Sequence, residues 1–473
     1  MSTNVNPARI LGRITVKGRL RLDAPLLIGE GASGEERSDR DIHVLRGKDG
    51  IPFIPGTSLA GALRSFVEEE APRAAELLFG TFGDRPGAGS EDMDERQSAV
   101  MLYDVTLPNA KIGTRDGVCI DDITRTAVKR AKYDYEIVEG GTGGVFYAEI
   151  VLRAVHESEE GILRAALLRL RDLLRGGFHV GALTTKGFGR MHIGDMEIDC
   201  YDFRQPENVI AWLSTERGRA VWHSDSIGEE ARPAVYAAED FMVEADFALT
   251  GSLIVRDYED ANKVVNDDNP PDALMKRNAA GAYIIPGTSL KGVLRHRAAF
   301  ILNALGKDEA LADRLMGPAP ERMKALPQEE KFRSRFVVEE AVVTAAPHQQ
   351  TRIRGDRFTG GTIASALFST EPIWQEEKGV RAVTLRFGVK RMGSSMVRDW
   401  EVGLCILLLK DLWLGRIAIG GEKSVGRGTL EGLRASLHYH GRTWELTQGQ
   451  PFDADTARAL QEFVTALSEE AGV

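Results

Sequence analysis

Only three cysteines occur in the 473 residues, Cys119, Cys200 and Cys405, and none lies near another. That spacing excludes a disulfide framework and a CxxC metal clip, and it points to a reducing cytoplasm. Long apolar runs are missing too. The longest, residues 402–409, falls far short of the ~18 residues a membrane span needs, so no membrane partner is expected. The start, Met1-Ser2-Thr3-Asn4, lacks a charged-then-apolar signal pattern. No GxxxxGK[ST] string appears, which excludes a Walker phosphate loop. Nor is positive charge in excess: 60 Lys and Arg face 70 Asp and Glu, a net charge of −10. Any nucleic-acid interface must therefore be a local basic groove, because the local field decides what happens at a phosphate.

What the chain does have is glycine, 50 residues of it, and a segment that occurs twice. Ile54-Pro55-Gly56-Thr57-Ser58-Leu59 returns 231 residues later as Ile285-Pro286-Gly287-Thr288-Ser289-Leu290. Around it, residues 41–64 and 272–295 agree without a gap at 12 of 24 positions, where unrelated segments would share about one or two. The shared residues are Asp41/Asp272, Arg46/Arg277, Gly50/Gly281, the six-residue core, Gly61/Gly292, Leu63/Leu294 and Arg64/Arg295. Self-similarity at one period marks a tandem duplication. We divide the chain into a first domain at 1–214, a linker at 215–238 and a second domain at 239–473.

Hydrophobic periodicity then orders the elements. Alternation predicts strands over 10–28, 99–107 and 146–154, and the helical period predicts helices over 59–70 and 161–174. The second half replays this with strands at 245–255 and 336–343 and helices at 290–305 and 402–415. Short helices close the halves at 202–214 and 456–468. Each unit reads β–α–β–(excursion)–β–α–β, an α+β order compatible with a ferredoxin-like sheet carrying helices on one face.

With these motifs located, the chain resembles the RAMP superfamily of CRISPR-associated proteins, most of all the backbone subunits of type III effector complexes, with two such units fused. One match is Ile-Pro-Gly-Thr-Ser-Leu-x-Gly-x-Leu-Arg at 54–64 and 285–295; another is [Ser/Thr]-x-Gly-x-Gly at 185–189 and 424–428. A third is Gly355-Asp356-Arg357-Phe358-Thr359-Gly360, running on to Ala366-Leu367-Phe368 and Glu371, which is similar to the family's thumb hairpin. The first unit matches that pattern only loosely, at Ile120-Asp121-Asp122 and residues 133–138. The resemblance implies two tandem ferredoxin-like (RRM-like) domains, each with a thumb-like hairpin insertion. It implies stacking along a guide RNA beside other effector subunits, with the thumbs splaying the guide–target duplex. It further implies that one loop aspartate per unit, here Asp41 and Asp272, supports cleavage of target RNA with a divalent metal ion, Mg²⁺ or Mn²⁺. Three other functions stay in view: a non-catalytic guide-RNA scaffold, a guide-RNA-processing RAMP endonuclease with a histidine base, and a duplicated ferredoxin-like small-molecule sensor.

Beside the resemblance, each motif has a plain reading. Pro-Gly-Thr-Ser is a turn with Thr57 or Ser58 as helix cap. It is also a phosphate cradle, because exposed amides at a helix start favour anions. The cradle would use Gly56, Thr57, Ser58 and Arg64 in one copy and Gly287, Thr288, Ser289 and Arg295 in the other. Lys291 would add charge where the first copy has Ala60. The glycine loops are tight turns into a strand, or places where an RNA backbone approaches Lys186, Arg190, Lys423 and Arg427. Within residues 111–132, six cations, including Lys129 and Arg130, face only Asp116, Asp121 and Asp122, which suits a groove-lining hairpin. Arg352, Arg354 and Arg357 do the same in the second half. Arg46 and Arg277 stand five residues after Asp41 and Asp272 and complete the set of RNA-contact candidates. A lone loop aspartate is ordinarily solvated; recurrence inside a gapless repeat is what singles these two out. His43 aligns with Leu274, so it takes no shared role.

Overall fold

Alternating apolar side chains make β1 (Ile10–Leu22) the middle of the first sheet in the computed structural model: Ile14, Val16, Leu20 and Leu22 all point into one core. The structure describes residues 6, 8–30, 42–81, 97–121, 126–214, 240–257, 271–318, 327, 332–393 and 395–470. Asp41, the side chain of Arg130 and the segment assigned as linker lie outside that description. The chain divides into two units. Met1–Thr114, Tyr135–Thr184 and Phe188–Val235 form one; Arg115–Asp134, Thr185–Gly187 and Tyr236–Val473 form the other.

In the first unit, α1 (Gly56–Glu70) and α2 (Pro72–Phe79) lead to β2 (Val100–Leu102). The hairpin of β3 (Ile112–Ile120) and β4 (Ala127–Val138) follows; its residues Arg115–Asp134 count with the second unit. Then come β5 (Gly143–Arg153), α3 (Glu160–Gly176), β6 (Phe178–His179), β7 (Arg190–Asp202) and α4 (Pro206–Leu213). The sheet order is β2-β5-β1-β7-β6, and the pairs are antiparallel. Ile14 stands between Ile150 on β5 and Cys200 on β7. Leu59, Leu63 and Val67 of α1 join Leu163, Ala166, Leu170 and Leu174 of α3 in the core over this sheet. Each of these leucines, and Val67, contributes about 1.5–3 kcal/mol when fully buried.

The second unit repeats the plan with β8 (Phe241–Thr250), β9 (Ala273–Met275), β10 (Tyr283–Ile285), α5 (Gly287–Ala304) and α6 (Ala310–Met316). Next are β11 (Phe336–Val338), β12 (Ala341–Val343), and the hairpin of β13 (Gln350–Gly355) and β14 (Thr362–Glu371). The unit ends with β15 (Val383–Val389), α7 (Asp399–Trp413), β16 (Thr429–Tyr439), β17 (Arg442–Thr447) and α8 (Ala454–Glu469). Its sheet runs β10-β12-β15-β8-β16-β17, with β11 also on β15. Both sheets therefore carry the 2-3-1-4 order of the ferredoxin-like βαββαβ plan, with a hairpin inserted after the second strand. Helix α7 is buried almost all round, Val402, Leu404, Cys405, Leu408 and Leu412 included, because it packs against both the sheet and α8. The strand expected over 336–343 is two short ones, broken at Glu339-Glu340. Among the described residues no helix is long and apolar enough to cross a membrane.

Candidate nucleic-acid interface

Both Pro-Gly-Thr-Ser copies start a helix, though not by the expected cap. The N-cap residues are Pro55 (φ −60°, ψ 137°) and Pro286 (φ −59°, ψ 140°), neither with a side-chain cap. Thr57, Ser58, Thr288 and Ser289 sit one step further in, within the first turn. In the first copy the Gly56 N–H donates to Asp104 Oδ1 at 2.8 Å, so a protein carboxylate holds an amide that the cradle reading assigns to phosphate. Gly56 and Gly287 are buried, and a Cβ there would run into the Leu102 and Lys186 carbonyls respectively. Close backbone packing is thus sufficient reason for glycine at both places.

The recurring Arg64 and Arg295 also have a structural task. Arg64 Nη1 donates to the carbonyl of Gly80, 3.1 Å away, and Arg295 Nη1 to the carbonyl of Gly317. Those glycines end α2 and α6, so each arginine satisfies an orphan carbonyl at a helix C-terminus. Lys291 is buried, and its ammonium donates to Thr185 Oγ1 (3.0 Å), Ser334 Oγ (2.7 Å) and the Phe336 carbonyl (2.8 Å). Burial, helped by the nearby charges of Lys186 and Arg295, pushes its pKa down to about 7. Neither the charge nor the direction of Lys291 suits a phosphate grip.

The glycine loops resolve toward the turn. Gly189 (φ 77°) donates its N–H to the Pro25 carbonyl, and Gly428 (φ 83°) donates to that of Ser252, each at 2.7 Å. A Cβ at Gly189 would strike the Val180 carbonyl oxygen, and one at Gly428 that of Ile419. Arg427 is 2% exposed and bonds Ser252 Oγ and Gln350 Oε1. Lys186 and Arg190 are half-buried, and Lys423 is exposed. Burial lowers the pKa of Lys186.

Asp272 is placed differently. It is exposed, its N–H donates to the Ser369 carbonyl (2.8 Å), and its Oδ2 accepts from the Ser369 N–H (2.7 Å). The aspartate thus leans on the foot of the β13–β14 hairpin, where β9 runs parallel to β14 with Ala273 beside Thr370 and Leu274 beside Glu371. Among the described residues its Oδ1 accepts no hydrogen bond. Five residues on, Arg277 donates to Glu371 Oε1 (3.3 Å) and to Tyr283 Oη (3.0 Å), with its guanidinium 4.8 Å over the Tyr283 ring.

The first unit carries the same clasp. Ile42 runs parallel to Tyr135, and Arg46 donates to Glu136 Oε2 at 3.0 Å. Ile42 aligns with Ala273 and Arg46 with Arg277, so Glu136 is the counterpart of Glu371. Glu136 also accepts from the Val44 N–H at 3.2 Å. Burial alone would raise its pKa, but that hydrogen bond and Arg46 outweigh it and hold the carboxyl below its usual range. No sequence signal paired these residues, because the stretches between arginine and glutamate differ in length, 90 and 94 residues: the aspartate segments are offset by 231 and the hairpin feet by 235 (371 − 136).

At the hairpin tip, Arg354, Arg357 and Phe358 are exposed. Asp356 instead closes the turn, accepting from Thr359 N–H (2.7 Å) and Phe358 N–H (2.9 Å), contacts that hold its carboxyl below the usual range. On the other hairpin Lys129 is exposed, while Arg115 is buried and paired with Glu340 inside the second unit at 3.3 Å. No cluster of three or more His, Cys, Asp or Glu able to hold a metal ion occurs among the described residues. Gly61 and Gly292 face open space, and nothing in the packing explains their recurrence.

Comparison with known proteins adds the family. None of the curated proteins compared with the chain matches it. Among solved structures, it is similar to a chain of the cryo-EM structure of the Type III-B Cmr-beta bound to cognate target RNA. That likeness has 14% identity over 40% of this chain and 61% of that one, with a TM-score of 0.29. A chain of the Type III-B Cmr-beta apo state gives 13% identity over 38% of this chain and 96% of that one, again at 0.29. The family model of the RAMP superfamily matches residues 19–192 and 228–431, one stretch in each half. The chain belongs to the RAMP superfamily.

Proposed function

We propose that this protein is a guide-RNA-binding backbone subunit of a type III CRISPR ribonucleoprotein that cleaves bound complementary target RNA, one site per repeat. The observation that carries the reading is Asp272: an exposed carboxylate at the foot of an arginine-tipped hairpin, on a segment whose sequence and clasp recur in the first unit. Lys129, Arg354 and Arg357 supply exposed charge for phosphates, a kind of contact that positions RNA without reading its sequence. Other effector subunits are the expected partners.

The donor set fits a divalent ion shared with RNA. One carboxylate with an oxygen to spare suffices, since Mg²⁺ keeps several waters and takes phosphate oxygens alongside one or two carboxylates. Asp272, and Asp41 in the first repeat, would hold the ion. When bound, it would neutralise charge on the scissile phosphate beside an attacking ribose 2′-OH. The chain's own share is to fix the carboxylate through the Ser369 N–H and to bring the RNA backbone past it.

Assembled complex incubated with complementary target RNA and Mg²⁺ tests this. Wild type should cut at two positions, Asp272→Ala should lose one and Asp41→Ala the other. Unchanged cutting in both variants, with RNA still bound, would leave a scaffold and overturn the nuclease reading.

A further inference from the structure

We infer that Glu371 is a positioning residue for the cleavage site of the second repeat: it clasps Arg277 of the aspartate-bearing segment and so sets where the Asp272 carboxylate stands. This deepens the proposed function and rests on it. Four observations meet here. The Arg277–Glu371 pair and the Arg46–Glu136 pair occupy matching places in both units, at 3.3 Å and 3.0 Å. Besides these pairs, the aspartate segment touches the hairpin foot through a short parallel ladder, two residues long in the second unit and one bridge in the first, and through the Asp272–Ser369 and Val44–Glu136 hydrogen bonds. Arg277 is held on its other side by Tyr283, on the strand that leads into α5. Finally, the Arg277 and Glu371 side chains are 41% and 22% exposed, and pairs that wet contribute little to global stability. Fold stability alone therefore gives weak reason for the pair to be kept twice. Orientation gives a better one. The far edge of the segment is anchored by Arg256–Asp257 and the buried Lys276–Asp257 pair. Toward the hairpin foot it has two ladder rungs, the Asp272–Ser369 bonds and this clasp, and a carboxylate that moves by an ångström loses much of its catalytic effect.

The chain carries its own control, because the cut assigned to the first repeat does not involve Glu371. In assembled complex, Glu371→Gln should slow the second cut about 10- to 100-fold, the range for lost outer-shell partners. The effect should fall on kcat with KM little changed, and the first cut should keep its wild-type rate. The swapped pair Arg277→Glu with Glu371→Arg should recover part of the loss, which a general packing defect would not. Hydrogen exchange of the amides at 272–276 should quicken in Glu371→Gln and return toward wild type in the swap. Asp272→Ala serves as reference. If it leaves the second cut intact, the proposed function fails. If it abolishes that cut while Glu371→Gln matches wild type in both rate and exchange, the clasp inference alone is overturned. Equal slowing of both cuts, or no recovery in the swap, would overturn it as well.

Discussion

Arg427 Nε stands 2.9 Å from Glu422 Oε2, an ion pair at the places that Phe188 and Leu183 occupy in the first unit. Glu422 (φ 54°) and Leu183 (φ 58°) share the left-handed backbone of the loop, so the correspondence holds in conformation as well as order. In the first unit Phe188 packs with Leu27, Tyr135 and Ile137, with Leu183 against them. In the second, Glu422 also takes Arg352 (3.0 Å) and Arg256 (3.3 Å). One turn thus closes by two chemistries, dispersion and charge.

Removing one member of the buried pair should cost more than removing both. Glu422→Leu leaves the Arg427 guanidinium buried with only neutral partners and should cost about 3 kcal/mol, whereas Glu422→Leu with Arg427→Phe should cost clearly less. Urea unfolding midpoints of the two variants check the order.

The glycines of that loop are not equal. At Gly428 (φ 83°) a side chain meets both backbone strain and the Ile419 carbonyl; at Gly426 (φ 85°) it meets strain and nothing else within 4 Å. Gly428→Ala should cost about 3 kcal/mol and Gly426→Ala about 1 kcal/mol, measured by thermal or urea melts.

Lys291 makes stability depend on pH. Its pKa is about 7 in the fold and near 10.4 in the unfolded chain. Between those values the unfolded chain binds more protons, so stability rises with pH across that window, and the penalty is complete below about pH 7. Relative to Lys291→Met, wild type should gain about 2 kcal/mol from pH 7 to pH 9. Parallel urea midpoints for the two proteins would refute this.

Arg354 and Arg357 test the hairpin as an RNA contact. Replacing both with alanine should weaken binding of unrelated RNA sequences equally. It should also flatten the slope of log affinity against log salt by about 1.4, the value for two lost phosphate contacts on a single strand. Fluorescence anisotropy titrations at several salt concentrations measure both.

Several of the recurring residues were legible as recurring but not as what they do. Arg64 and Arg295 stood out beside a helix start, which suggested phosphate; only their contacts with Gly80 and Gly317 show them closing a helix end. Lys291 looked like added charge and is a buried donor. Glu371 was marked only as part of the thumb pattern and Glu136 by no named motif residue, and neither was paired with an arginine, because their partners lie 94 and 90 residues away along the chain.

The sequence by itself determined the duplication, the α+β order of elements and the recurrence of one aspartate at the repeat offset, since a fixed offset and a hydrophobic period are properties of neighbours along the chain. Tertiary structure alone decided which repeated charges face inward and which carboxylate clasps which arginine. Those choices depend on burial and on hairpins that bring distant segments within about 3 Å, the range of a hydrogen bond, and spacing along one strand of text does not encode them.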